Sequence, residues 1–133
     1  MTAGRDLRLA RLWRGLGYAG IAILLVGCLW PQPGVAGGAG IDKLLHFAAF
    51  ALLAGWFGAV LGMGRYAAVA AGLAVLGLVI EALQWLTGYR SAELMDWVAD
   101  VAGVGVGLAL ARPLVAPCLG YIDGRVAATR NRA

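Results

Sequence analysis

Charge is scarce in this chain, and histidine and cysteine are scarcer. Only 14% of its 133 residues are Asp, Glu, Lys or Arg, with one histidine and two cysteines. One imidazole and two thiols cannot assemble a zinc, haem or iron–sulfur site on the usual ligand spacings, so no metal or cofactor is expected. Cys28 and Cys118 lie in separate apolar or terminal stretches and read as small apolar side chains. The polar surface of a soluble domain is missing too. Hydrophobic residues make up 62% of the chain, and a soluble fold this small has too little interior to hide them. The net charge of +4 does not signal nucleic acid, because the arginines flank apolar runs and no aromatic–basic binding surface can be drawn.

What is present is a set of long apolar runs. The expected fold is all-α, an integral membrane protein with four transmembrane helices at about 12–30, 42–62, 67–86 and 94–112. Each is about long enough to cross hydrocarbon. Pro31 and Pro33 stop the first run, the Gly/Pro-rich stretch 31–41 forms a loop, and Arg112-Pro113 marks the last exit. The whole reads as one membrane domain: a basic arm at 1–11, a core at 15–112, and a basic tail at 113–133 whose segment 114–122 suits a surface helix. A cleaved signal is an alternative for the first run, since Leu25-Val26-Gly27-Cys28 matches a lipoprotein signal box. The run continues past Cys28 to Trp30, which favours an anchor.

Four crossings place both termini on one side. That side would hold Arg5, Arg8, Arg11, Arg14, Arg65, Arg112, Arg125, Arg130 and Arg132, against Lys43 and Arg90 on the other. The bias predicts cytoplasmic termini and outward-facing loops at 31–41 and 87–95. Gly58-x-x-x-Gly62 and Gly103-x-x-x-Gly107 are weak candidates for close helix approach. Trp85 and Trp97 fit the outer aromatic belt.

The polar residues of the outer side cluster by depth, with His46, Glu81, Gln84 and Asp100 at a similar level and Asp42 and Asp96 one turn nearer the surface. Asp42, Lys43 and His46 open the second helix, Glu81 and Gln84 lie near the end of the third, and Asp96 and Asp100 open the fourth, with Arg90 in the loop between. The i, i+3 and i, i+4 spacings put each set on one helical face. Ionisable groups at membrane depth face protein or a water-filled cavity. Glu81 is the sharpest case, with His46, Lys43 or Arg90 as expected partners, and a proton shared between His46 and Glu81 or Asp100. Two blander readings stand beside this one. A buried polar network can simply fix helix register, and Asp96 equally suits an N-cap.

These residues, taken in order, resemble the VanZ-like family of small bacterial membrane proteins. The resemblance rests on Asp42-Lys43-x-x-His46-Phe47-x-x-Phe50, Glu81-x-x-Gln84, Arg90, and Asp96-x-x-x-Asp100-x-x-Gly103-x-x-x-Gly107, and covers about 15–112. At Asp100 the family usually has an asparagine. The resemblance implies a multi-pass protein of the bacterial cytoplasmic membrane acting near the cell envelope. The family name comes from a protein associated with resistance to the glycopeptide teicoplanin.

The leading functional expectation is an outward-facing intramembrane pocket lined by these residues. It would bind a lipid-linked envelope precursor or an anionic head group, with Lys43 and Arg90 attracting the anion. Its alternatives are a membrane enzyme using His46 and a carboxylate for acid–base chemistry on a lipid, and an accessory subunit whose polar cluster only locks packing. The enzyme reading lacks an identifiable nucleophile: Thr87, Tyr89 and Ser91 have no motif around them.

Overall fold

A computed structural model describes residues 7–31, 39–88 and 93–130. Its helices are α1 (Ala10–Leu29), α2 (Ala39–Leu61), α3 (Tyr66–Thr87), α4 (Leu94–Leu110) and α5 (Ala116–Arg130). A single 3₁₀ turn (Met63–Arg65) joins α2 to α3, and a π-helical segment (Ala111–Val115) joins α4 to α5. Among the described residues, four helical segments are long and apolar enough to cross a membrane.

Local chemistry sets the boundaries. Gly62 (φ 80°) ends α2 and Gly88 (φ 71°) ends α3, both in backbone conformations that glycine adopts without steric cost. Gly62 is therefore the terminator of α2. Gly58 does pack: a Cβ there would stand 2.8 Å from the Ala111 Cβ. Pro113 has no N–H to continue the α4 ladder, and the chain responds with a π turn in which the Ala116 N–H reaches back to the Ala111 carbonyl.

The four spans alternate in direction. Trp13, Gly17 and Gly20 of α1 meet Trp56, Phe57 and Leu53 of α2 in antiparallel order. Phe47 and Ala51 of α2 meet Gly103 and Gly107 of α4 in parallel order. That α2–α4 interface is the most extensive in the molecule. Phe50 and Ala54 of α2, Ile80 of α3 and Val104 of α4 are at the buried heart of the core, with Phe57 and Leu73 in the same cluster.

The tail is more structured than a solvated extension. Asp123 of α5 is buried and closes the start of α1. Its carboxylate accepts the Arg8 and Leu9 backbone N–H groups at 2.8 and 3.0 Å, and the Trp13 indole N–H at 2.7 Å. The Trp56 indole in turn donates to the Trp13 carbonyl at 2.8 Å. One side chain thus satisfies free donors at a helix start and suits its dipole. Asp123→Ala should lower unfolding stability by about 1–3 kcal/mol, the usual scale for hydrogen bonds to a charged group. Asp123→Asn should fall between it and wild type. Unfolding followed by tryptophan fluorescence in mixed micelles would check both; equal stability of all three proteins would remove this role.

Candidate functional site

The expected polar residues gather at the opposite end of the bundle, where α2 and α4 begin and α3 ends. Each is on its helix for a local reason. Asp42 lies in the first turn of α2, which starts at Ala39, and its carboxylate complements the dipole there. Asp96 is the third residue of α4 rather than its cap, and the N-cap position belongs to Glu93. One turn further in stand His46 on α2 and Asp100 on α4, brought face to face by the parallel α2–α4 packing.

The His46 Nδ1 lies 3.0 Å from the Asp100 Oδ1, and the two side chains are 4% and 0% exposed. When Asp100 is ionised it only accepts, and Nδ1 then carries the proton of this hydrogen bond. Cys28 of α1 is buried and within electrostatic reach of the ring. The second Asp100 oxygen turns toward α3, where a Cβ on Gly77 would come within 2.7 Å of it. Gly77 thus makes room for this carboxylate.

Lys43 departs from its expected role. Its ammonium pairs with Glu93 at 2.5 Å and with Asp96 at 3.2 Å, so it already neutralises carboxylates of this chain. Glu81 also takes a different partner from those expected: its Oε2 accepts the Glu93 backbone N–H at 2.9 Å. Asp96, His46 and Asp100 remain within electrostatic reach of it. Gln84 donates to the Cys28 carbonyl at 3.0 Å, tying α3 to α1. Arg90 and the hydroxyls of Tyr89 and Ser91 lie outside the described residues. The Thr87 hydroxyl donates to the Gln84 carbonyl at 2.6 Å. Trp97, expected in the interfacial belt, is half-buried and donates to the Ala74 carbonyl at 3.0 Å, whereas Trp85 is exposed.

Two members of the cluster were not singled out in the sequence. Glu93 bonds both Lys43 and, through its backbone, Glu81. Its place three residues before Asp96 was the available signal, because both carboxylates then reach one cation on a neighbouring helix. Cys28 contributes through its carbonyl and its proximity to His46, which no sequence spacing encodes.

The arrangement is rich in acceptors. Asp42, Glu81, Glu93, Asp96 and Asp100 face one lysine and one histidine among the described residues. Glu81 Oε1, Asp96 Oδ1 and Asp100 Oδ2 are buried without a hydrogen-bond partner; of the three, Asp96 Oδ1 has the Lys43 ammonium beside it as an ion-pair partner. Ligand atoms of Asp42, His46 and Asp96 lie within 4.8 Å of one another, donor types that suit a divalent cation. The Lys43 ammonium, however, supplies the positive charge beside Asp96.

Four apolar spans with a buried cluster of imidazole and carboxylates between them define a multi-pass helical membrane protein. The chain belongs to the VanZ/LLP1 family, whose model matches residues 8–116. No curated protein and no solved structure matches it.

Proposed function

We propose that this VanZ-like membrane protein receives the polar head of a lipid-linked envelope component in the cluster, through hydrogen-bond donors on that head. The observation that carries this reading is the pair of buried acceptors, Glu81 Oε1 and Asp100 Oδ2, that no donor of the described chain meets. Unmet buried acceptors are costly, and hydroxyl, amide or ammonium groups of a ligand would satisfy them. An anionic head alone fits less well, since Lys43 is already engaged by two carboxylates. A phosphate on the same molecule would compete with Glu93 for that ammonium, and Arg90 would be a second cation for it.

The arginine distribution supports an orientation in which the cluster faces the outer side of the bacterial cytoplasmic membrane and both termini are inside. A contribution to glycopeptide resistance is proposed from family membership, an argument by analogy.

The test is Glu81→Gln, which keeps shape and removes the charged acceptor. Wild-type protein in nanodiscs, incubated with an extract of bacterial envelope lipids, should retain a head-group-bearing lipid in native mass spectrometry. The variant should retain about tenfold less, equivalent to about 1.4 kcal/mol. Undiminished retention and unchanged teicoplanin susceptibility in a folded variant would defeat the reading.

A structural role is the second reading, favoured by the bonds that link neighbouring helices: Gln84 to Cys28, His46 to Asp100, Trp97 to Ala74. Under it, Glu81→Gln lowers melting temperature and abundance in step with any phenotype, and no lipid is retained selectively. The oriented His46–Asp100 pair is also the geometry of an acid–base dyad. Turnover of envelope lipids by purified protein, lost in His46→Ala, would mark an enzyme.

A further inference from the structure

At the end of the bundle away from the polar cluster, a cleft of about 560 Å³ opens between α1, α2 and α3. Phe57, Leu73 and Leu76 contribute to its apolar wall, and Arg14, Arg65 and Tyr18 bring its polar groups. No acidic residue lines it. Among the described residues no carboxylate pairs with either arginine. The Nε of Arg14 donates to the Ala10 carbonyl within its own helix, while Arg65 stands at the N-cap of α3.

Depth decides what fits. From Arg65 to Leu76, both lining the cleft, α3 advances roughly 16 Å at about 1.5 Å per residue. That is about half of a hydrocarbon core ~30 Å thick. The apolar wall therefore spans one leaflet, and the two guanidinium groups stand at the level of that leaflet's head groups. Guanidinium binds phosphate through paired N–H donors, and basic residues at a membrane surface draw anionic lipids.

We propose that this cleft holds an acyl chain of an anionic phospholipid from the adjoining leaflet, with the lipid phosphate between Arg14 and Arg65. The site is independent of the polar cluster and binds different chemistry: an anion with an apolar tail at one end of the molecule, hydrogen-bond donors at the other.

Native mass spectrometry of the full-length protein, released from nanodiscs of equal phosphatidylglycerol and phosphatidylcholine, tests it. Wild type should retain phosphatidylglycerol over phosphatidylcholine by about tenfold or more. The Arg14→Gln/Arg65→Gln double variant should lose that preference; both arginines are exposed, so the fold should persist. Arg125→Gln, which is outside the cleft, should keep it. Gly72→Leu should cut retention of both lipids. Gly72 lines the cleft with nothing within 4 Å of a Cβ placed on it, so a larger side chain can start there without meeting the backbone and take up cleft volume. Equal retention of the two lipids by wild type, as for loosely attached bilayer lipid, would overturn the proposal. Displacement of phosphatidylglycerol by excess inorganic phosphate would reduce the site to a free-anion site and also refute it. A dimer that Gly72→Leu dissociates would show that a second copy of the chain occupies the cleft instead.

Discussion

Alanine at Gly103 or Gly107 should destabilise this protein by about 3 kcal/mol, the upper end of the usual overpacking range, whereas alanine at Gly105 should be neutral or stabilising. A Cβ on Gly107 would overlap the Ala51 carbonyl oxygen and stand 2.8 Å from the Ala54 Cβ; one on Gly103 would overlap the Phe47 carbonyl oxygen. These obstacles are the main chain of a neighbouring helix, which cannot rotate aside as a side chain can. Gly105 has nothing within 4 Å of the same position, and there alanine gains up to ~1 kcal/mol of helix propensity. Unfolding of the three variants in a mixed-micelle titration with sodium dodecyl sulfate would read the contrast. The consequence extends to the site, because the α2–α4 approach brings His46 to Asp100. Similar stability for all three variants would mean that the close approach does not hold the bundle together.

The second large effect is expected at that pair. His46→Ala leaves Asp100, 0% exposed, without the partner of its Oδ1. Breaking a buried pair from one side typically costs about 3–5 kcal/mol. Asp100→Asn should cost less, because an amide oxygen still accepts the Nδ1 proton. Replacing both residues by apolar ones, as in His46→Leu/Asp100→Leu, should recover most of the loss, since burying two charges offsets much of their attraction. Unfolding free energies of wild type, His46→Leu, Asp100→Leu and the double variant form a double-mutant cycle, with a coupling expected well above the ~0.5 kcal/mol seen for independent sites. The doubly apolar protein also separates the two functional readings. If it folds well and retains no lipid, the charged cluster serves recognition; if its lipid retention and phenotype match wild type, the pair serves only the fold.

Much of the architecture was legible residue by residue. The spans expected at 12–30, 42–62, 67–86 and 94–112 appear as Ala10–Leu29, Ala39–Leu61, Tyr66–Thr87 and Leu94–Leu110. Apolar run length and glycine or proline punctuation are properties of a few adjacent residues, and they need no knowledge of neighbours. Expecting His46, Glu81, Gln84 and Asp100 near one depth needed only the helical rise and alternating direction. The glycine motifs were half legible: Gly103 and Gly107 pack as the pattern suggests, while Gly62 follows the same spacing and does a different job. Spacing records which face a glycine occupies, and not whether the helix still continues there.

Partner choice was not legible. Lys43 could reach several carboxylates from its helix, and the position of Glu93 beside Asp96 decided which it took. Glu81 met a backbone N–H instead of a cation. Asp123 read as part of a mixed tail until α5 folded back over the start of α1.

The order of residues alone determined that this is a four-span membrane protein with its polar side chains concentrated toward one end, because hydrophobic length and helical periodicity are short-range properties. Only the packed structure decided which acceptors are left unmet, which glycines touch a neighbouring backbone and where a cleft opens beside two arginines. Those outcomes depend on distances between helices far apart in the chain, and sequence spacing within one helix carries no information about them.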